Sequence, residues 1–333
     1  MRVMVSDWAG FACAFPARLL FVECFTANPV PKFHLILASE ASTAVLIRRG
    51  PKKWSCVFGW DRAGDTFQPG QCVKGYLEAK EATLSPCGKY FAYAVRADRM
   101  TEKGYFQTCI YSAVSRPPWL KALVFWNRYG VGLLREHDGS LQLDIQADKH
   151  GSILPNKVHD DWIGTGIHLN QLNPTTRQWG YLVYGSPIEF EKWRLEGWTA
   201  ITPWEKCPEE ECRGVASWWK PDDVHRMHFE KSIPCTHWKL RLSHWSGCHS
   251  DDEASKESYR GVSFETFALH SSSGEVREFP DWISADHDTF RNRIVWTNGQ
   301  QLWAMEVLGE DFGEPVMLFD VASEKGWRTP APY

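Results

Sequence analysis

The motif TLSPCGK at residues 83–89, followed by YFAYAV at residues 90–95, decides the fold of this chain. Pro86 fixes the φ angle of a turn, and Gly88 tolerates a positive φ, so the motif predicts a tight turn. The run of aromatic and β-branched residues after it is typical of a strand. Because similar turn residues followed by strand-like runs recur along the whole chain, the sequence predicts an all-β fold.

On both sides of this motif, short strands alternate with turn residues, and long helical periodicity is nearly absent. Residues 61–70 are predicted as a polar loop, and residues 193–201 are predicted to close a strand unit. The Asn298-Gly299 pair is the strongest short hairpin signal. The predicted strands are residues 44–48, 54–60, 75–85, 89–95, 106–114, 120–126, 133–134, 140–145, 166–172, 179–184, 238–245, 262–270, 275–279, 294–296, 301–307 and 317–321.

This spacing favours a β-propeller, since its units of about 40 to 50 residues match four-stranded blades. The sequence therefore predicts one propeller of about six or seven blades with degenerate repeats. We place the propeller at residues 32–328, after an N-terminal extension at 1–31 and before a tail at 329–333. Asp7, Pro16 and Arg18 interrupt the apolar extension, so we expect neither a signal peptide nor a membrane span.

The composition supports a β-rich soluble protein and limits its partners. The chain has 333 residues, and its 18 tryptophans fit the half-buried surfaces of sheets, although some of them can form an aromatic binding surface. The net charge of -4 argues against a nucleic-acid partner. The 10 cysteines are scattered, so we expect mostly reduced thiols in a cytoplasmic protein.

A set of motifs carries a family resemblance. LIRRGPKKW at 46–54, FQPGQ at 67–71, LSPCGK at 84–89 and SRPPWLKAL at 115–123 occur in this order. With these motifs the chain resembles an uncharacterised bacterial family with a predicted propeller fold of the WD40 or TolB-like kind, most strongly from Ser39 to Leu134. The resemblance implies a bacterial, cytoplasmic propeller and supplies no catalytic residues. One departure is Cys87, which stands where such turns usually carry aspartate.

The residues between Cys207 and His249 include a candidate zinc site. Cys207, Cys212, His225 and His228 are residue types that bind zinc, which needs four ligands in a tetrahedral arrangement. Their spacing matches no standard zinc motif, so the alternative is a set of unrelated core and surface residues. We expect no other cofactor.

Carboxylates at Asp286 and Asp288 flank His287, and Asp281 precedes them. Such a cluster can bind calcium or perform acid–base chemistry, but the alternative is an acidic turn whose side chains bond their own backbone. The chain has no Gly-x-Ser-x-Gly motif, no phosphate-binding glycine loop and no His-Glu-x-x-His motif.

Three classes of function stay open at this stage. The first is non-catalytic protein binding, with an immunity protein that neutralises a basic toxin domain as the specific hypothesis. The second is a hydrolase or lyase with its site in the central channel, and the third is a structural scaffold. For partner binding we select the residues of the proline-rich segment and two acidic patches: Arg116, Trp119, Glu209, Glu210, Glu211, Asp251 and Asp252.

Overall fold

The structure is a computed structural model, and its description covers only part of the chain. The described residues are 32–50, 54–100, 106–126, 132–137, 140–146, 157–158, 162, 165–172, 187–202, 205–206, 224–249, 260–321 and 332. The predicted extension at 1–31 and the predicted strand at 179–184 lie outside these residues. The domain boundaries therefore stay a prediction.

The first sheet is a four-stranded antiparallel meander. Its strands, in order, are β1 (Lys32–Leu37), β2 (Thr43–Arg49), β3 (Trp54–Asp61) and β4 (Thr66–Lys74). The predicted loop at 61–70 is wrong in its second half, because residues 66–70 belong to β4. Pro69 is accommodated there because β4 is an edge strand and the β3–β4 register shifts between Cys56 and Phe58.

Cys56 and Cys72 face each other across β3 and β4 and form a disulfide. The prediction of reduced thiols is therefore wrong at these two positions. Cys87 and Cys235 are free cysteines.

The second sheet contains the motif that opens the sequence analysis. Gly88 has a φ of 70°, and its amide donates to the Ser85 carbonyl oxygen, so the predicted turn is confirmed. The predicted strand at 75–85 is instead two short strands, because residues 78–82 form a turn. The strands are β5 (Tyr76–Leu77), β6 (Thr83–Leu84), β7 (Phe91–Met100), β8 (Phe106–Ser115), β9 (Val124–Trp126) and β12 (Lys157–Val158).

A three-stranded sheet and a helix follow. The sheet contains β10 (Gly132–His137), β11 (Ser140–Gln146) and β13 (His168–Leu172). The helix, α1 (Pro187–Leu195), is absent from the sequence prediction, which has a strand unit closing at 193–201. Pro187 is its first residue, a position where the missing amide hydrogen costs nothing.

The last two sheets are again antiparallel. One contains β14 (Thr199–Ala200), β15 (Glu205–Lys206), β16 (Val224–Ser232), β17 (Trp238–His249), β18 (Arg260–Ser271) and β19 (Val276–Phe279). The other contains β20 (Ser284–Asp288), β21 (Arg293–Asn298), β22 (Gln301–Leu308), β23 (Asp311–Phe312) and β24 (Val316–Asp320).

The sheets follow one another in a β-propeller arrangement, which confirms the predicted fold class. Among the described residues, four sheets have four or more strands and form blades. The first sheet contacts the last through β1, β20 and β21. Apolar clusters fill the spaces between neighbouring sheets, as at Val45 and Phe91 between the first two. The predicted number of six or seven blades is not confirmed.

The loop between β8 and β9 packs closely on the first sheet. Pro117-Pro118 is a cis peptide, and the Pro118 carbonyl oxygen accepts a hydrogen bond from the Gln71 amide at 3.3 Å. A Cβ atom on Gly70 would lie 2.0 Å from that oxygen and 2.7 Å from the carbonyl oxygen of Val57. Only glycine fits here without a shift of one backbone against the other.

We expect Gly70→Ala to lower the free energy of unfolding by about 2 kcal/mol, because the added methyl group overpacks two backbones. Gly313→Ala is the matched control, since its nearest contact would be a side chain at 3.6 Å. Guanidinium denaturation of both variants measures the difference. Equal midpoints for the two variants would contradict the prediction.

Among the described residues, no helix is long and apolar enough to cross a membrane.

Candidate active site in the central cavity

A small polar cavity lies where the first two sheets, the last two sheets and α1 converge. Its volume is about 50 Å³, which is room for about three water molecules. We call it the central cavity. Its polar and charged lining residues are His34, Lys80, Lys192, Glu196, Glu265, Ser284 and Asp286.

Separate elements bring these side chains together. His34 lies on β1, which is buried along most of its length, and Glu265 and Asp286 lie on β18 and β20. Lys192 is in the last turn of α1, and the Glu196 amide donates to its carbonyl oxygen at 2.9 Å. This continued turn places the Glu196 carboxylate 3.9 Å from the Lys192 ammonium.

Each of the other two carboxylates has a lysine partner. Lys80 lies 3.0 Å from Glu265, and Lys231 lies 2.5 Å from Asp286. The Nδ1 atom of the fully buried His244 is 3.8 Å from Glu265. The cavity therefore contains both signs of charge at close range, and a low local dielectric strengthens their interaction.

The environment separates the protonation states of the two glutamates. Burial raises the pKa of Glu196 to about 7, against the opposing charge of Lys192. Burial also acts to raise the pKa of Glu265, but Lys80 and His244 outweigh it and hold that pKa well below its usual range. At neutral pH Glu265 is therefore ionised, while Glu196 is divided between its acid and its conjugate base.

His34 is a neutral imidazole in this cavity. Burial, together with the charge of Arg49, lowers the pKa of His34 to about 3. Its side chain is 8% exposed, and its Nε2 atom has no hydrogen-bond partner among the described residues. A buried polar atom without a partner is costly, so Nε2 provides a binding point for a polar group that enters the cavity.

A second pocket adjoins the central cavity. It has a volume of about 170 Å³ and shares Leu37, Lys192 and Glu196 with the central cavity. We call it the mouth pocket, and Glu40, Arg135 and Glu136 are charged residues in its lining. The Glu196 side chain keeps 23% of its surface accessible, so a proton can reach it from outside.

This arrangement provides the components of acid–base chemistry. A carboxyl group whose pKa is near neutrality can both donate and accept a proton at the operating pH. A lysine beside it can stabilise negative charge that develops on a substrate. Pairs of titratable groups whose pKa values are pushed apart are typical of active sites, although structural ion-pair networks also produce them.

The sequence-predicted partner residues lie elsewhere. Arg116 lines a separate groove between the first two sheets, and the Trp119 amide donates to the Arg116 carbonyl oxygen at 2.9 Å. Neither residue lines the central cavity or the mouth pocket. The acidic patches at 209–211 and 251–252 lie outside the described residues, so their roles stay predictions.

The predicted zinc ligands are divided in the same way. Cys207 and Cys212 lie outside the described residues. His225 and His228 are both on β16, where an odd spacing points them to opposite faces of the sheet, and His228 Nδ1 lies 2.7 Å from the Ser243 hydroxyl. The described residues contain no group of three or more potential metal ligands. The zinc site stays a prediction.

The residues of the alternative acidic turn at 286–288 instead end β20 and are buried, although the Asp288 carboxylate accepts a hydrogen bond from the Phe290 amide at 3.1 Å, as that alternative expects. Asp286 and Asp288 lie on one face of this strand and bind cations from other elements. Asp286 pairs with Lys231, and Asp288 pairs with Arg62 and Arg293. The motif is therefore the end of a strand whose charges are neutralised by Lys231 and Arg62, which are distant in the chain, and by Arg293 on the next strand.

Sequence reasoning missed most of the cavity. Neither Glu196 nor Glu265 was a candidate, since each is a single charged residue without a motif. The available signal was a titratable residue inside an otherwise apolar strand, as at His34 in the sequence KFHLIL. That signal indicates a buried polar group but does not identify the residues that pack around it.

No family model matches the sequence, and no curated protein matches it. A solved structure described as an ulvan lyase from a polysaccharide lyase family, PL25, is 8% identical, with a TM-score of 0.21 over 90% of this chain and 76% of its own. A second structure of such a lyase, bound to -[GlcA(1-4)Rha3S]-, is 10% identical, with a TM-score of 0.23 over 90% and 74%. Similarity at this level carries no argument about fold or activity, so the propeller arrangement rests on the sheets themselves.

Proposed function

We propose that this propeller is an enzyme that cleaves its substrate by acid–base catalysis at Glu196, as a hydrolase or a lyase. The observation that carries this proposal is the Glu196 carboxyl group, whose pKa is about 7 and which reaches both the central cavity and the mouth pocket. A group with this pKa transfers protons efficiently at neutral pH.

In this proposal the substrate occupies the mouth pocket, because the central cavity has room only for water or a small substituent. Glu196 transfers the proton, and the Lys192 ammonium, 3.9 Å away, stabilises negative charge on the substrate. The Nε2 atom of His34 binds a polar group at the inner end. Lys80 keeps Glu265 ionised, and the ion pair between them holds the Lys80 ammonium in position beside the cavity.

Non-catalytic protein binding is the competing proposal. The observation that favours it is the pairing of Glu265 and Asp286 with lysines, since a static structural cluster requires the same neutralisation. An immunity protein for a basic toxin domain, or a scaffold, would use the acidic patches that the sequence indicates. Absence of turnover together with capture of a basic protein partner would favour this alternative.

We expect Glu196→Gln to reduce turnover by about 10²- to 10⁴-fold, since the amide cannot transfer the proton. The wild type is first screened against polysaccharides, including uronic acid polymers, and against simple esters and amides. New reducing ends, released acid or the ultraviolet absorbance of a new double bond report cleavage. Glu191→Gln is the matched control, because Glu191 is on the same helix and pairs with the exposed Arg194.

A titration followed by carboxyl carbon NMR gives an independent readout. We expect one glutamate signal with a midpoint near neutral pH in the wild type and in Glu191→Gln, and its loss in Glu196→Gln. Turnover that survives in Glu196→Gln would overturn the role of this residue. A midpoint at the ordinary value, with no substrate cleaved, would overturn the proposal as a whole.

A further inference from the structure

A large open groove lies between the first two sheets, apart from the central cavity. Its volume is about 660 Å³, within the range of small-molecule sites. We call it the outer groove. Its lining includes Trp60 and Phe67 from β3 and β4, Lys89 and Tyr90 from the turn before β7, and the loop residues 116–118.

Hydrogen bonds hold the loop side of the outer groove in place. The Gln71 side-chain oxygen accepts from the Leu120 amide at 2.7 Å, and the Gln71 amide donates to the Pro118 carbonyl oxygen. The Ser115 hydroxyl donates to the Trp119 carbonyl oxygen at 2.5 Å. Both ends of the segment that carries Arg116 are thus fixed, so the groove is largely formed before any ligand binds.

The apolar side of the groove is equally rigid. Phe67 stacks with Trp60, at 5.8 Å between ring centroids, and with Phe319, at 4.5 Å. These two contacts hold the Phe67 ring in place. Pro117 and Pro118 complete a wall without side-chain hydrogen-bond donors.

The polar groups are mainly hydrogen-bond donors. Arg116 and Tyr90 both line the groove, where burial raises the pKa of the Tyr90 phenol and the charge of Arg116 opposes that rise. The phenol therefore stays protonated at neutral pH and can donate. Lys89 adds a second cation. Asp61 is the acidic lining residue, and its carboxylate accepts from the Ala63 amide at 3.2 Å in the turn that it begins.

We propose that the outer groove is a binding site for a small organic acid, a carboxylate attached to an apolar ring. The guanidinium of Arg116 and the phenol of Tyr90 bind the carboxylate, and the prolines and Phe67 contact the ring. An arginine matches the two oxygens of a carboxylate in geometry and in charge. This site is independent of the proposed reaction at Glu196.

The test is a fluorine NMR titration with para-fluorophenylacetate as the probe and its neutral amide, para-fluorophenylacetamide, as the comparison. We expect the acid to bind the wild type at least about tenfold more tightly than the amide, because the charge-assisted contacts require a carboxylate. Arg116→Gln is expected to weaken binding of the acid by about tenfold or more, and Tyr90→Phe to weaken it by a smaller factor.

Arg96→Gln is the matched control, because Arg96 is on β7 in the same sheet and lies against Tyr76, outside the groove. Its affinity for the acid should equal that of the wild type, and circular dichroism melts show whether each variant is folded. Equal binding of acid and amide would overturn the proposal. So would an Arg116→Gln affinity that matches the wild type, or a wild type that does not bind the acid.

Discussion

Replacing Asp288 by asparagine is expected to lower the free energy of unfolding by about 3 kcal/mol or more. The Asp288 carboxylate is fully buried, with Oδ1 3.0 Å from Arg62 Nη1 and Oδ2 3.0 Å from Arg293 Nε. The amide keeps the shape of the side chain but removes the negative charge. Two buried guanidinium groups then face each other with less neutralisation, and breaking a buried pair in this way is strongly destabilising.

The surroundings of Asp288 leave the two arginines little freedom to compensate. Arg62 is 1% exposed and also donates to the carbonyl oxygens of Ala38 and Ala41. Arg293 forms two hydrogen bonds with Asp65, at 2.9 and 2.6 Å. Asp65 and Arg62 belong to the first sheet and its turns, whereas Arg293 and Asp288 belong to the last. The network therefore joins the two ends of the propeller.

Chemical denaturation of the wild type and Asp288→Asn measures this effect. Asp281→Asn is the matched control, since Asp281 is exposed and only a few residues away. A double variant, Arg62→Met with Asp288→Leu, should recover part of the loss, because it removes one of the two buried guanidinium groups while Arg293 keeps its pair with Asp65. A loss below about 1 kcal/mol in Asp288→Asn would show that water reaches the site and screens the charges.

The strands were largely predictable from the sequence, because alternation and turn residues act locally. The hairpin at Asn298-Gly299 and the turn at Gly88 are confirmed for this reason. Errors occur where a tertiary partner changes the local preference. Residues 66–70 form a strand although they contain Pro69 and Gly70, because β3 supplies a partner and the Pro118 loop needs a position without a side chain.

The candidate site was not predictable, because its residues come from five separate parts of the chain. Burial and the charges of Asp286 and Glu265 raise the pKa of Glu196. No local sequence pattern shows that these three residues come together in the fold. The same limit applies to β20. In the sequence its two aspartates are typical of a turn. In the structure Asp286 lines the central cavity, and Asp288 binds the arginines that join the first and last sheets. One short strand therefore contributes both to the candidate site and to the contact between the first and last sheets.

Replacing Glu265 by glutamine is expected to lower the free energy of unfolding at neutral pH by about 3 kcal/mol. The variant removes the carboxylate charge that lies 3.0 Å from the Lys80 ammonium. It also removes the charge beside His244, whose ring is fully buried 3.8 Å away. The pKa of Glu265 is held well below that of an unfolded chain, so its stabilising effect is present above about pH 4.5 and is lost as the pH falls further.

The difference in stability between the wild type and Glu265→Gln should therefore shrink as the pH is lowered below about 4.5. His34 also contributes in the wild type and the variant, because its lowered pKa, which the charge of Glu265 partly opposes, makes both less stable as the pH falls from about 6.5 to about 3. Glu196 acts in the opposite direction, since its raised pKa favours the folded state below about pH 7.

Denaturation at a series of pH values separates these effects, with Glu275→Gln as the control, because Glu275 is exposed and pairs only with Arg277 among the ion pairs of the described residues. A difference between wild type and Glu265→Gln that stays constant from neutral pH to about pH 3 would contradict the prediction, because it would show that the glutamine variant fails through packing and not through the lost charge.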